Sequence, residues 1–194
     1  EKHGFGWDDY APFLLRLLRA PSQRRHIIRW LSSLQHNYLF RHAMPWIIFD
    51  AWLFIRSRIK PGHHVFEWGC GGSTLYWIRH GASVISIEHD PSWADRIRPM
   101  IPPNSTADLR CIPPSPHTAS DISLDPTDPE AYASSHPSYA HMSFYKYVCQ
   151  IDDIPDESLD LVLVDGRART SCVAHSVRKL RQGGLLVLDD AERA

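Results

Sequence analysis

Residues 65–90 alternate between apolar runs and a helical pattern, and this alternation limits the fold more than any other feature of the chain. The stretch reads VFEWGCGGSTLYWIRHGASVISIEHD. Residues 65–68 and 84–88 have the length and apolar content of buried strands, and residues 73–80 between them have the spacing of a helix. Two strands joined in this way are expected to pair in parallel, because a parallel connection needs a crossover.

The same pattern continues along the chain. Residues 92–100 and 172–181 are predicted helices, and 109–112, 159–165 and 185–189 are predicted strands, the last preceded by a turn at Gly183 and Gly184. Residues 113–142, rich in Pro, Ser, Asp and His, lack apolar periodicity and are expected to form a substrate-side loop or a plain connector. We therefore predict an α/β fold with a doubly wound, mainly parallel sheet.

The first 60 residues have a helical texture instead. Two segments with helical spacing are separated by Pro21, and Pro45 suits the first turn of a third, largely apolar helix. We expect residues 1–60 to form a helical cap on the substrate side and residues 61–194 to form the sheet domain, within one folding unit.

Composition and charge exclude several classes of protein. Hydrophobic residues make up 43% and charged residues 22% of the chain, which are globular values, and the formal net charge of -1 gives no field for nucleic acid. We find no signal peptide and no apolar stretch of about 18 residues that would span a membrane. The four cysteines lack CxxC spacing and are interpreted as reduced thiols. These features predict a cytoplasmic protein without a membrane or nucleic-acid partner, and they are compatible with a homodimer.

A glycine-rich turn follows the first predicted strand. Gly69 and Gly71 allow the backbone to turn tightly and to approach a ligand at the carboxyl edge of the sheet. Ser73 or Thr74 can cap the helix that follows. The turn is therefore a candidate ligand site.

Two carboxylates flank this turn. Glu67 precedes Gly69 by two residues, and Glu88 ends the next strand 19 residues after Gly69. An acidic residue about 20 positions downstream of such a turn accepts the ribose hydroxyls in nucleoside-binding folds. Glu88 is thus predicted to hold a ribose.

These residues resemble motif I and the acidic ribose-binding position of class I S-adenosylmethionine (SAM) dependent methyltransferases, which have a Rossmann-like fold. The resemblance implies that the turn contacts the methionine part of SAM, that Glu67 lies near its amino group, and that His89 and Asp90 flank the adenine. The cofactor-binding residues that we predict on this basis are Glu67, Gly69, Cys70, Gly71, Ser73, Glu88 and His89.

A nicotinamide or flavin dinucleotide site is the alternative for this turn. Thr74 replaces the third glycine of GxGxxG, no second strand–turn unit of this kind exists, and Glu67 would repel a pyrophosphate. A carboxylate in that place instead suits a sulfonium and an ammonium group.

A second group of acids follows two later strands. Asp165 ends the segment LDLVLVD, and Asp189 and Asp190 end GGLLVLDD. This half resembles metal-dependent O-methyltransferases related to catechol and macrolide-sugar methyltransferases. The resemblance implies Asp165, Asp189 and Asp190 as Mg²⁺ ligands and Asp165 as the catalytic residue. The alternative is neutralisation by arginine side chains, for which the candidates are Arg167, Arg169 and Arg193.

Residues 45–193 also resemble an uncharacterised bacterial group of SAM-binding domains, through the phrases MSFYKYVCQID and LVDGRAR. The chain departs from the full methyltransferase pattern at its end, where the helix and antiparallel strand pair after strand five are missing or truncated. No substrate is attached to this bacterial group. The resemblances to class I methyltransferases and to metal-dependent O-methyltransferases imply methyl transfer from SAM to a small-molecule acceptor, with oxygen as the preferred acceptor atom. A non-catalytic SAM-binding module and a dinucleotide-dependent oxidoreductase are the alternatives.

Residues of the long loop and its flank add two further candidates. Any one of His117, His136 and His141 could act as a general base near neutral pH. The aromatic residues that follow could line an acceptor pocket or simply anchor the segment to the core. These aromatic residues are Tyr139, Phe144, Tyr145 and Tyr147.

Overall fold

A computed structural model describes residues 15, 18, 19, 24–35, 37–117 and 124–191, and the chain divides after His42 into two compact units. The first unit contains a 3-10 turn (Arg24–His26) and the helices α1 (Ile27–Ser33) and α2 (Tyr38–His42). Pro21 lies outside the described residues. A helical cap over residues 1–60 that covers the substrate side stays a prediction.

The second unit is built on a parallel sheet of five strands in the order β3-β2-β1-β6-β7. This arrangement confirms the predicted doubly wound, Rossmann-like α/β fold. The strands of this sheet are β1 (His64–Trp68), β2 (Ser83–Glu88), β3 (Ala107–Cys111), β6 (Leu159–Val164) and β7 (Leu180–Leu188). Two further strands, β4 (Ser115–Pro116) and β5 (Met142–Ser143), form a separate antiparallel pair.

Helices cover both faces of the sheet. The helices of this unit are α3 (Phe49–Arg56), α4 (Gly72–Arg79), α5 (Pro91–Ile97), α6 (Tyr145–Val148) and α7 (Arg169–Ser176). Trp68 of β1 packs in an apolar core with Tyr147 of α6 and Cys172 of α7. The preceding residue, Glu67, points to the opposite face and meets Trp77 of α4, because successive strand side chains alternate between faces.

Three predicted boundaries are wrong. The third helix begins at Phe49 rather than at Pro45, and the predicted helix over residues 172–181 is α7 followed by a 3-10 turn (Val177–Lys179). Strand β7 already starts at Leu180, and its pairing with β6 jumps from Leu159↔Leu180 to Leu161↔Leu185. The two glycines predicted to precede the last strand therefore lie in an irregularity inside it, where Gly183 has φ +79°.

The long loop is more ordered at its base than its composition predicts. Strands β4 and β5 pair Ser115 with Ser143 and Pro116 with Met142, and a 3-10 turn covers Pro137–Tyr139. Residues 118–123 lie outside the described residues. A ladder of two residues per strand leaves no periodic signal in a sequence, which is why the loop prediction missed it.

None of the described helices combines the length and apolar character needed to cross a bilayer. All four cysteines are free thiols.

Candidate functional site

The carboxyl edge of the sheet has a topological switch point between β1 and β6. The chain leaves β1 towards β2 on one side, and β6 lies on its other side. The turn after β1 and the loop after β6 meet there, since the backbone N–H of Asp165 donates to the carbonyl of Trp68 at 3.0 Å. Ligands of open α/β sheets bind at such points.

Both loops need glycine at their point of closest approach. Gly69 has φ +94°, and a Cβ on it would lie 2.8 Å from the backbone oxygen of Asp165. A Cβ on Gly166 would lie 2.0 Å from the hydroxyl of Tyr147 and 3.3 Å from the nitrogen of Gly69. The GxG turn is thus required by contact between the two loops, and its contact with a ligand stays a prediction.

Glu67 lies beneath the turn and is fully buried. Its Oε1 accepts hydrogen bonds from the hydroxyls of Thr74 and Ser86, and its Oε2 accepts one from Trp77 Nε1 at 2.8 Å. Burial raises the pKa of Glu67 above its usual value, and the hydrogen bonds oppose this rise. The carboxylate therefore ties β1, β2 and α4 together, and its predicted place near an amino group stays untested.

Helix α4 begins directly after the turn. The hydroxyl of Thr74 accepts the backbone N–H of Gly71 at 3.0 Å, so Thr74 is the residue that fixes this helix start. Ser73 is buried beside it and contributes a hydrogen bond to Glu67. Burial raises the pKa of the Cys70 thiol, and the carboxylate of Glu88 raises it further, so this thiol is neutral.

Glu88 is bound to the turn from the end of β2. Its Oε2 accepts the backbone N–H of Cys70 at 3.2 Å, and its Oε1 accepts those of His89 and Asp90 at 2.8 and 2.9 Å. Burial acts to raise the pKa of Glu88, but hydrogen bonds from His89, Asp90 and Cys70 outweigh it and hold the pKa below its usual value. Glu88 is therefore an anion at neutral pH, placed beside the glycine turn.

His89 bridges two loops of this edge. Its Nδ1 lies 2.8 Å from Glu88 Oε1, and its Nε2 lies 3.5 Å from Arg167 Nε. The ring packs against Tyr139 and Phe144, with centroid distances of 5.4 and 5.9 Å. Whether His89 contacts an adenine stays a prediction.

The aromatic residues of the neighbouring segment divide into two kinds. Phe144 and Tyr147 are fully buried and belong to the core, as expected for anchors. Tyr139 is half-buried beneath the guanidinium of Arg167 at 5.5 Å, and Tyr145 is exposed. Tyr139 is therefore the member of the four that remains a candidate for lining an acceptor pocket.

Asp165 stands at the switch point opposite Gly69. No hydrogen-bond donor among the described residues reaches its carboxylate. Burial raises the pKa of Asp165 to about 8, the charges of Asp189 and Asp190 contribute to the rise, and Arg169 opposes it. Such a buried carboxyl is protonated over most of the neutral range, and a nearby cation would ionise it.

The three aspartates predicted as Mg²⁺ ligands are near one another but do not form a ligand cluster. Arg169 Nη2 lies 3.6 Å from Asp190 Oδ2, which favours neutralisation by arginine. The oxygens of Asp165, Asp189 and Asp190 do not all lie within 4.8 Å of one another. Their role as Mg²⁺ ligands stays a prediction. Arg193 lies outside the described residues.

The candidate general bases lie in two places. The backbone N–H of His117 donates to the carbonyl of His141 at the base of the long loop. His136 instead lies 5.6 Å from the ring of Tyr139, and burial followed by the charges of Arg167 and His89 lowers its pKa. His136 is therefore neutral at neutral pH and is the histidine of the three that lies close to the site.

Replacing Asp165 with asparagine is expected to stabilise the protein at alkaline pH. The pKa of this carboxyl is near its ordinary value of 3.8 in the unfolded chain and about 8 in the folded one, so the wild type loses stability as pH rises between these values. Thermal unfolding of both proteins from pH 4 to 9 should show a Tm advantage of the variant that grows up to about pH 8 and then stays constant. A pH-independent Tm difference would contradict the raised pKa.

No family model and no curated protein matches this chain. Among solved structures, it is similar to a methyltransferase-like protein from Silicibacter pomeroyi, with 20% identity over 68% of this chain and 66% of that one and a TM-score of 0.45. It is also similar to a TehB-like SAM-dependent methyltransferase from Corynebacterium glutamicum, with 17% identity over 87% of this chain and 73% of that one and a TM-score of 0.44. A third similar structure is a SAM-dependent methyltransferase from Geobacter sulfurreducens in complex with S-adenosyl-L-homocysteine. It has 14% identity over 73% of this chain and 48% of that one, with a TM-score of 0.39.

A putative enoyl reductase domain of a polyketide synthase is also similar, with 13% identity over 69% of this chain and 59% of that one and a TM-score of 0.35. The chain spans less than two thirds of the first, third and fourth of these proteins. At these identities and TM-scores the reaction has to be inferred from the site itself.

Proposed function

We propose that this chain is a SAM-dependent methyltransferase that transfers a methyl group to an oxygen of a small-molecule acceptor. One observation carries the proposal. The glycine turn at the switch point lies between two carboxyl groups, Glu88, whose pKa is lowered, and Asp165, whose carboxylate has no hydrogen-bond donor among the described residues. Two carboxyl groups in these positions suit a ligand that combines ribose hydroxyls with a positive charge.

The charges of the site argue against a dinucleotide. A pyrophosphate bound to the turn would lie beside Asp165 and would further disfavour ionisation of this carboxyl, whereas an acid in the position of Glu88 suits the ribose of either ligand. A sulfonium and an ammonium group would instead be attracted to both carboxylates. Helix α4 also begins through the side chain of Thr74, at the position where a dinucleotide turn has its third glycine.

Each residue then has a role that its position allows. Glu88 Oε2 accepts one backbone N–H and keeps acceptor capacity for the ribose hydroxyls. The N–H groups of Gly69, Cys70 and Gly71 already donate to other groups of the protein, so the turn would offer backbone carbonyl oxygens to the ammonium group of the methionine part. When bound, SAM supplies a methyl group on a positively charged sulfur.

Asp165 is the proposed base for the acceptor hydroxyl. Its pKa of about 8 in the free protein would fall when SAM binds, so the carboxylate would be ionised near neutrality and could accept this proton. The neutral His136 is the second candidate for the same proton. Most of the rate enhancement is expected from the alignment of the acceptor oxygen with the methyl group, because in-line displacement depends above all on proximity.

SAM binding is expected to release protons near pH 7. Asp165 is mostly protonated there in the free protein, and a cation beside it would lower its pKa. Calorimetry in two buffers with different ionisation enthalpies measures the released protons directly, and Asp165→Asn should abolish the release while the variant still binds SAM.

The same titration separates the alternatives. Binding of a nicotinamide or flavin dinucleotide in place of SAM would overturn the proposal in favour of an oxidoreductase. SAM binding without formation of S-adenosylhomocysteine across a panel of hydroxylated acceptors would instead favour a non-catalytic SAM-binding module.

A further inference from the structure

A group of three potential metal ligands lies on the segment that follows α6 and on α7. Cys149 begins the 3-10 turn Cys149–Ile151, Asp152 directly follows this turn, and His175 lies in the last turn of α7. One ligand atom of each residue lies within 4.8 Å of the others. All three side chains are half-buried, so the group is shielded but open to an ion from solvent.

The distances within the group are close to those of a coordination sphere. His175 Nδ1 lies 2.9 and 3.1 Å from the two carboxylate oxygens of Asp152, and the Cys149 thiol also hydrogen-bonds to Asp152. A tetrahedral ion with bonds of about 2.0–2.3 Å separates its ligands by roughly 3.3–3.8 Å. Small side-chain rotations would open this space, with the metal taking the place of the thiol proton of Cys149 and the imidazole of His175 carrying its one proton on Nε2.

The other nitrogen of the His175 ring also has a hydrogen-bond partner. The hydroxyl of Tyr132 lies 3.3 Å from His175 Nε2. Histidines that bind metals through one nitrogen usually donate their other N–H to such a partner, which fixes the tautomer and the ring plane. Tyr132 would thus hold the lone pair of Nδ1 towards Cys149 and Asp152.

The arrangement does not fit a nucleophilic cysteine. In a Cys–His–Asp triad the thiol and the carboxylate lie on opposite nitrogens of the ring. Here Asp152 lies on Nδ1, Tyr132 lies on Nε2, and the thiol of Cys149 hydrogen-bonds to the carboxylate of Asp152. Burial, followed by the charge of Asp152, raises the pKa of Cys149 to about 11, which is the reverse of activation. A bound cation would reverse this effect, because it stabilises the thiolate.

The surrounding charges leave room for a cation. Arg178 Nη2 lies 3.5 Å from Asp152 Oδ1, but its side chain is 62% exposed and can turn to solvent. Lys179 donates to the backbone carbonyl of Asp152 at 3.0 Å, and its charge is paired with Asp156 at 2.8 Å. Asp152 is the one carboxylate of the group. A divalent ion bound to one carboxylate and one thiolate makes a neutral centre.

We propose that Cys149, Asp152 and His175 bind one Zn²⁺ ion, with water as the fourth ligand. Sulfur, imidazole and carboxylate ligands together favour Zn²⁺ over the hard ions Mg²⁺ and Ca²⁺. Binding converts the thiol of Cys149 to a Zn–S bond and releases its proton to solvent. The ion would join the segment after α6 to α7, and the site is independent of the proposed methyl transfer.

Titration of the full chain with Co²⁺ tests the ligand set, because Co²⁺ replaces Zn²⁺ and gives a thiolate-to-metal charge-transfer band. We expect one Co²⁺ per chain with this band, displaced by Zn²⁺. The band should disappear in Cys149→Ser and persist in Cys111→Ser, a matched variant of another half-buried cysteine. Tyr132→Phe should keep the band and weaken Zn²⁺ binding about 10-fold.

Two measurements on the unmodified protein keep the test decisive should a variant fail to fold. Zn²⁺ at 100 times its Kd should raise the Tm by roughly 5–10 °C, and it should protect Cys149 but not Cys111 from alkylation, as mapped by mass spectrometry. A charge-transfer band that survives in Cys149→Ser, or equal alkylation of both cysteines with and without Zn²⁺, would overturn the proposal.

Discussion

Replacing Glu88 with glutamine is expected to weaken SAM binding about 100-fold, because two hydrogen bonds from ribose hydroxyls to a charged acceptor are worth roughly 3 kcal/mol together. Glu88 is almost fully buried and already holds the backbone N–H groups of Cys70, His89 and Asp90. Glutamine keeps the shape of the side chain, but its amide nitrogen must face one of these donors. We therefore expect a further loss of about 1–3 kcal/mol in the free energy of unfolding.

Asp90→Asn is the matched control for the loss of charge. Asp90 lies two residues away, is also anionic, and caps α5 by accepting the backbone N–H groups of Ser92 and Trp93. Asparagine is an equally good N-cap, so stability should hardly change. Asp90 is predicted to flank the adenine, but asparagine keeps the shape of its side chain and removes only the charge. An equal loss of SAM affinity in both variants would therefore mean that Glu88 acts through its charge alone and not through contact with the ribose.

S-adenosylhomocysteine distinguishes the two carboxylates of the site. It has the same ribose as SAM but no charge on its sulfur. Glu88→Gln should therefore weaken both ligands by the same factor. Asp165→Asn should weaken SAM more than S-adenosylhomocysteine, and the reverse order would contradict the placement of the sulfonium beside Asp165.

The fold was predictable where burial determines the residue pattern. Strands β1, β2 and β6 lie in the middle of the sheet, and their apolar runs located them to within one residue at either end. Strand β7 lies at the edge, and its first half carries Arg181, Gln182 and two glycines, which have no strand pattern. The first half of β7 is a strand because it pairs with β6 and not because of its own residue pattern. The pattern therefore predicted a start five residues too late.

The sequence predicts which acids lie beside the glycine turn but not their hydrogen-bond partners. The offset of Glu88 from the glycine turn places it at the switch point in any fold of this class. Nothing in the sequence shows that Glu67 faces α4, because that depends on the register of β1 against the helix packed on it. Its bonds with Thr74, Ser86 and Trp77 join residues 7, 19 and 10 positions apart.

The group of Cys149, Asp152 and His175 escaped the sequence analysis altogether. A search for CxxC spacing passes over Cys149-Gln-Ile-Asp152, in which a carboxylate stands where the second thiol would be. The histidine is 23 residues further along the chain than Asp152, and only the packing of α7 brings it there. A search for Cys-x-x-Asp followed by a helical histidine would have found the group.

Replacing Gly69 with alanine is expected to lower the free energy of unfolding by about 3 kcal/mol, or the Tm by roughly 6–12 °C. Two effects add at this position. The backbone has φ +94°, which disfavours any residue with a Cβ, and the new Cβ would lie 2.8 Å from the backbone oxygen of Asp165. The clash would separate the turn from the loop after β6, so SAM binding should be lost together with stability.

Gly183→Ala separates these two effects. Gly183 also has a left-handed backbone, with φ +79°, but nothing lies within 4 Å of a Cβ placed on it. This variant has the backbone strain alone, so its free energy of unfolding should fall by about 1–2 kcal/mol, and its SAM affinity should be unchanged. Thermal unfolding and SAM titration of both variants measure the difference. Equal Tm losses would show that Gly69 is required for its backbone angle and not for the contact with Asp165. The loops after β1 and β6 would then have room for a Cβ between them.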